Sequence, residues 1–186
     1  MEYLFNSISE FITPEIVKNT SKILKEENSK VSQAFQTTIA SILELIVEKG
    51  ENKKFESILK GIGNMHILFS VSNLFLDKMN SKMQNACTKF LKYIFNDRLK
   101  EYYSLISDIS HISLFNSTYI VNKIALLVSA FLGEKLISNI SFSALLDQLE
   151  DEKNDFQIYI PFELSKLLEQ SHLKSFLAQK FWVSFF

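Results

Sequence analysis

Glycine occurs four times in this chain, proline twice, cysteine once and arginine once. Each shortage excludes something. So few glycines and prolines leave an all-β fold without the tight turns it needs at each chain reversal, and they favour long helices. A lone thiol, Cys87, rules out an internal disulfide. Arg98 is the only guanidinium among 20 basic residues, and the net charge is −1. Recognition of phosphate backbones and base edges favours arginine forks on a basic surface, so nucleic acid is not an expected partner. The most apolar runs, 67–76 and 124–133, reach about half of the roughly 20 residues that span a bilayer, and no membrane span is expected. The start, MEYLFNSISEF, has an acid at position 2 and no basic residue ahead of an apolar run. It does not read as a signal peptide, and the expected location is the cytoplasm.

What is present is apolar and aromatic. Of 186 residues, 47% are hydrophobic and 22% charged, which is the balance of a globular chain, and 17 are phenylalanine. The clearest pattern runs from 12 to 50. Thr13 is placed to cap a helix, Pro14 suits its first turn, and Glu15 puts negative charge at the N-terminal dipole. Ile16, Thr20, Ile23 and Leu24 fall on one face. The polar run Lys25-Glu26-Glu27-Asn28 ends that helix, and Asn28 or Ser29 is expected to cap the next. Val31, Ala34, Phe35, Thr38, Ile39, Ile42, Leu43 and Ile46 then recur at helical period, and Gly50 supplies a C-cap. Phe35, and Ile124 farther on, lie at the centres of apolar stripes and are expected in the core.

The same residues carry a likeness. Phe11-Ile12, Thr13-Pro14-Glu15-Ile16-Val17 and then Ser29-Lys30-Val31-Ser32-Gln33-Ala34-Phe35 resemble the opening of the YidB-like bacterial family, catalogued as domain of unknown function 937. A second block is similar to the later part of that family. It runs from Ile94-Phe95 through Phe131-Leu132-Gly133 and Ser143-Ala144-Leu145-Leu146 to Pro161. The chain departs from the family pattern at Asn96 and His111, where glycine is expected, and in the absence of proline over 118–132. The resemblance implies a multihelical bacterial protein. It implies no activity, because the family has no catalytic residues to carry over.

Farther along, Phe55, Ile58, Leu59 and Ile62 predict a short amphipathic helix broken by Gly61 and Gly63, and 65–79 is an apolar helix candidate. On 82–95, Met83, Cys87, Phe90, Leu91 and Ile94 share one face, with Lys82, Lys89 and Lys92 opposite. Asn96 or Asp97 is expected to cap a helix carrying Leu99, Tyr102, Tyr103 and Ile106, followed by a loop over 108–115. Asn116 or Ser117 then caps a helix over 118–132 that Gly133 ends. Ser141 caps another, with Phe142, Leu145, Leu146 and Leu149 at helical spacing. The segment 156–160 alternates like a strand but has no partner, and reads as an extended or helical link into Pro161. Short helices over about 162–170 and 172–181 follow. Residues 39–50 align on 124–135 without a gap, either by an ancestral duplication or because two buried helices share a composition.

Candidate chemistry is sparse. His66, His111 and His172 lie far apart, with no Cys, His, Asp or Glu at a local ligand spacing. His66, among apolar residues, reads as a partly buried structural histidine, His111 as a loop residue able to cap a helix end, and His172 as part of a polar turn. Cys87 on an apolar face reads as a small hydrophobe, not a thiolate. Glu150, Asp151, Glu152 and Asp155 are consecutive enough to diverge, so they read as a solvated turn and neither a carboxylate pair nor a calcium loop. Gly61-Ile62-Gly63-Asn64 lacks the Lys-Ser/Thr ending of a phosphate loop. The lysine face reads as solvated, with an acidic surface or lipid headgroups as the alternative contact. No catalytic, cofactor-binding or metal-ligating residue is singled out, and no cofactor is expected.

The sequence thus predicts an all-α, multihelical array of about eight to ten helices. A helical domain over 1–168 is expected, with helix–loop–helix lobes over about 1–93 and 94–168. A tail over 169–186 follows, and its last residues, 174–186, are expected to be peripheral. The expected role is a non-catalytic scaffold or protein-interaction module, not an enzyme. Its partner would be another protein or a second copy, met through an apolar helix face. Binding of an apolar ligand or lipid between helices is the alternative, and an enzyme with a site composed from distant residues is the remote one.

Overall fold

The computed structural model describes residues 3–76 and 79–169, and these contain helices, turns and no strand. In chain order the helices are α1 (Leu4–Glu10), α2 (Pro14–Leu24), α3 (Asn28–Lys49), α4 (Lys53–Gly63), α5 (Val71–Leu76), α6 (Ser81–Phe95), α7 (Leu99–Ser110), α8 (Leu114–Ile137), α9 (Phe142–Asp151) and α10 (Lys153–Gln157). A 3₁₀ turn, Ile67–Ser70, precedes α5, another, Asn96–Arg98, precedes α7, and residues 162–169 are helical. Short polar side chains start many of these helices by accepting an orphan amide. Thr13 accepts from Ile16 N–H, Asn52 from Lys54 and Phe55, Asn80 from Met83, Ser113 from Asn116 and Ser141 from Ala144.

The two long helices form a spine. Every residue over 37–46 in α3 and over 123–133 in α8 is buried. A helix buried all round must be enclosed by neighbours. Accordingly α3 packs against α1, α2, α7, α9 and α10 as well as α8, and α8 against α4, α6 and α7. The buried side chains join in a single hydrophobic cluster that contains both Phe35 and Ile124. The expected lobe boundary at 93/94 falls inside α6, and the expected tail boundary at 168/169 falls inside the helical segment 162–169. The stretches 39–50 and 124–135 are the middle parts of the spine and the residues that follow them.

Several polar residues on so enclosed a spine find partners nearby. Ser41 Oγ donates to the Thr37 carbonyl at 2.7 Å and meets Tyr102 Oη at 2.6 Å. Ser129 Oγ donates to the Ala125 carbonyl at 2.6 Å. Glu44, buried in α3, receives Lys153 Nζ at 3.1 Å and Gln157 Nε2 at 3.3 Å, which ties α10 to the spine. Burial draws the Lys153 ammonium down, but the bond and charge of Glu44 outweigh it, and its pKa ends above the ordinary value.

The largest interface is between α4 and α8, and two glycines make it. A Cβ on Gly63 would lie 2.5 Å from the Gly133 carbonyl carbon, and one on Gly133 would lie 2.8 Å from Gly63 N and overlap the Leu59 carbonyl oxygen. The backbones touch directly, as small residues allow. Gly133 therefore does not end α8, which runs on to Ile137, and Gly61 does not break α4, which ends at Gly63 as expected.

Other boundaries differ from the sequence pattern for local reasons. The α3 helix starts at Asn28 itself, with Glu27 ahead of it making no side-chain cap. The expected helix over 65–79 is split, because His66 takes a left-handed conformation (φ 54°) before the 3₁₀ turn. Asn96 (φ 53°) does not cap α7 but opens a 3₁₀ turn into it. The loop over 108–115 shrinks to a short link, since α7 reaches Ser110 and Ser113, not Asn116 or Ser117, caps α8. Asn116 instead donates to the Leu24 carbonyl at 3.1 Å and to Glu26 Oε1 at 2.8 Å. Ile23, placed on the inner face of α2 by periodicity, is exposed. The link 156–160 takes the helical of its two expected forms, with turns, Tyr159 N–H bonding to the Phe156 carbonyl and Ile160 N–H to that of Gln157. The expected helix over 172–181 and the residues 174–186 lie outside the described residues.

The glycine contact yields a prediction of opposite signs. Gly133→Ala forces two backbones apart and should lower stability by about 1–3 kcal/mol or more. Gly61→Ala, at an exposed helical site with nothing within 4 Å, should raise it by about 0.4–1 kcal/mol. Urea midpoints of the two variants against wild type measure both.

Candidate functional site

The residues singled out for chemistry do not converge. His66 and His111 are both exposed, and both have left-handed backbones. His66 is therefore not the partly buried histidine that its neighbours suggest, because the turn at 67–70 points it outward, with its ring 5.7 Å from that of Phe69. His111 does close a helix, its N–H bonding to the Asp108 carbonyl at the end of α7. His172 lies outside the described residues. Among the described residues no group of three His, Cys, Asp or Glu side chains is placed to hold a metal ion.

The acidic run is solvated at Glu150, Asp151 and Asp155, as expected, but not at Glu152. Glu150 and Asp151 finish α9, Asp155 lies in α10, and Glu152 between the helices is 3% exposed. Its carboxylate receives Leu4 N–H at 2.8 Å and Phe5 N–H at 3.0 Å, with Gln148 Nε2 at 3.2 Å. It caps the first turn of α1 from the far end of the chain, where the helix dipole also favours negative charge. Nothing near Glu152 in sequence distinguishes it from its neighbours, so local reasoning could not find this role.

Chemistry-bearing residues do meet where α6, α7 and α8 adjoin. Cys87, Tyr103, Tyr119, Asn122 and Lys123 line a cavity of about 450 Å³. Cys87 Sγ donates to the Asn122 carbonyl at 3.4 Å, and Tyr103 Oη to Asn122 Oδ1 at 2.8 Å. Burial pushes the Cys87 thiol up to about 12, against the opposing charge of Lys123. Burial also raises the Tyr103 phenol, and the neighbouring Cys87 adds to this. Lys123 is 3% exposed, and its ammonium lies 5.1 Å from the centre of the Tyr119 ring. Periodicity placed Cys87 correctly on an apolar wall and missed Lys123, whose only signal is a charge inside the apolar run of α8. The cavity offers protonated donors and apolar walls, with neither a thiolate nor a base at neutral pH.

The outer surface carries two further features. Several large apolar side chains are exposed, foremost Phe69, Phe115, Ile158 and Phe162. Lys82, Lys89 and Lys92 are exposed on α6, as the periodicity requires. No helix among the described residues is long and apolar enough to cross a membrane. The chain matches no family model, no curated protein and no solved structure.

Two predictions follow from these environments. The neutral thiol contributes stability that is fully present below the unfolded value of 9.0 and is lost as pH rises towards about 12. At neutral to mildly basic pH a thiol-specific chromophoric disulfide should react with folded protein at least about 100-fold more slowly than with a free thiol, and rapidly once urea is added. Glu152→Ala strands two amides of α1 and should cost about 1.5–3 kcal/mol, read as a lower urea midpoint with faster amide exchange at Leu4 and Phe5.

Proposed function

We propose that this chain is a non-catalytic protein-interaction module that engages an apolar helical face of another protein at the end of the fold where α2 finishes and α8 begins. The observation that carries this reading is an exposed apolar group there. Phe115 is 76% exposed and Leu114 53%, in the first turn of α8. Asn116, beside them, is bonded to the Leu24 carbonyl, which brings the exposed Ile23 to the same end. Tyr119, one turn on, donates to the Phe75 carbonyl, which brings the exposed Leu76 there too. Single exposed apolar residues are ordinary, but a group of them drawn from three helices is what contact surfaces use. The polar groups beside it serve the fold, Asn116 tying α8 to the end of α2 and Tyr119 tying it to α5.

The YidB-like resemblance agrees with this reading in its one implication, a multihelical bacterial protein without an assigned activity. A second reading, an apolar-ligand module, is favoured by the cavity between α6, α7 and α8, where Leu91 and Leu99 join Tyr119 in the walls.

The test places a photo-crosslinking phenylalanine analogue at position 115, and separately at the exposed position 100 on α7 as control. In native cells, irradiation should yield a discrete protein adduct from position 115 and none of the same mass from position 100. An adduct with the chain itself would identify self-association as the form the contact takes. A folded protein that gives no adduct at 115 would remove the reading, and co-purified lipid would then favour the cavity.

A further inference from the structure

The lysine face of α6 is only half of a larger feature. Lys89 and Lys92 meet Lys49, from the end of α3, and Lys54, from the start of α4, around an open groove of about 530 Å³. Its remaining walls are Ile58, Tyr93 and Asn96, and no carboxylate lines it. This is unexpected in a chain with 21 acids for 20 bases. Elsewhere Lys30 sits against Glu27, Lys60 against Glu56 and Lys153 against Glu44, and Lys123 and Lys135 lie over aromatic rings.

Local physics favours two of these positions, since Lys49 and Lys92 lie in the last turns of α3 and α6, where the helix dipole attracts a cation, and it opposes the rest. Lys54 lies in the first turn of α4, where the helix dipole repels a cation. Lys89 and Lys92 are like charges three residues apart on one helix. Lys49 is half-buried, and desolvation lowers its pKa against the pull of Glu48. The wall is rigid, because the Tyr93 ring stacks on Phe55 at 4.7 Å and 5°. Four lysines around one groove with no carboxylate in its walls leave positive charge that an anion from outside the chain would neutralise.

We propose that this groove binds a compact anion bearing two or more phosphoryl groups. Four ammonium groups call for several negative charges, more than a single phosphate carries. Lysines meet phosphate oxygens as mobile point charges, where a planar carboxylate would favour an arginine fork. The volume lies within the range of about 300–1,000 Å³ typical of small-ligand sites. A nucleic-acid strand would need a basic track running beyond the groove, which a net charge of −1 does not supply. The site is separate from the proposed protein contact and does not rest on it. The two lie at opposite ends of α3, whose 22 residues span about 33 Å.

The test titrates the full chain with tripolyphosphate by calorimetry at low chloride and neutral pH. Wild type should bind saturably at one site. In amide NMR spectra the shifts that move should lie within 49–58 and 89–96. Lys54→Gln, Lys89→Gln and Lys92→Gln combined should weaken binding roughly tenfold or more while the urea midpoint stays level or rises, since mutual repulsion is relieved. Lys18→Gln, Lys22→Gln and Lys100→Gln combined, at exposed sites elsewhere, should bind as wild type. No saturable heat, shifts spread over the surface, or equal weakening in both variants would overturn the assignment. A second arm sediments the protein with phosphatidylcholine vesicles containing a phosphatidylinositol bisphosphate. Vesicle binding that tripolyphosphate competes away identifies a lipid headgroup as the source, and tripolyphosphate binding without vesicle binding identifies a soluble ligand. Vesicle binding that survives in the groove variant would sink the proposal.

Discussion

Enclosure of α8 on every side sets the terms for everything else. A helix with no solvent face over 123–133 must be met from several directions at once. The spine partner α3 covers one side, α6 and α7 cover others, and α4 closes the remainder. It can close only because Gly63 and Gly133 let the two backbones touch. A side chain at either position would hold α4 away and open the core along the whole interface, since close-packed interiors do not absorb such gaps. The one ionisable side chain in 123–133, Lys123, is held at the margin, over the Tyr119 ring and beside a cavity.

The short elements depend on that spine and on polar ties to it. Isolated helices of six or seven residues have no stability of their own in water. α1 and α5 are of that length, and each is held by a group from far along the chain. Glu152 accepts the first amides of α1, and Tyr119 donates to the Phe75 carbonyl at the end of α5. Arg98 does the same for the segment 162–169, donating through Nη1 to the Leu167 carbonyl at 2.5 Å. Helix ends are where backbone groups lack partners, so ties of this kind satisfy the backbone and fix tertiary position together.

What the sequence made legible was whatever one helix decides alone. Thr13 and Ser141 cap as their positions suggest, and the stripes through Phe35 and Ile124 are buried throughout. What was not legible needed a partner from another helix. Gly133 looks like a terminator in one dimension and is a contact point in three. Asn116 looks like a cap and is spent on the end of α2. Glu152 looks solvated and is buried against α1. The lysine groove was half visible, because Lys89 and Lys92 share a helix face, while Lys49 and Lys54 join them only through the turn between α3 and α4.

The same architecture decides how two binding ends would relate. The apolar group at the start of α8 and the lysine groove at the end of α3 are joined by the spine. A ligand in the groove can influence the far end only by moving a helix that both ends share. α4 carries Lys54 and Ile58 into the groove and presses Gly63 on Gly133. A backbone-to-backbone contact has no side chains that could repack into a second arrangement, and coupling between distant sites needs an element with two arrangements. The packing therefore favours independence: phosphoryl binding near Lys54 would leave contacts at Phe115 unaltered, and the chain would act as a rigid connector between an anion at one end and an apolar partner at the other.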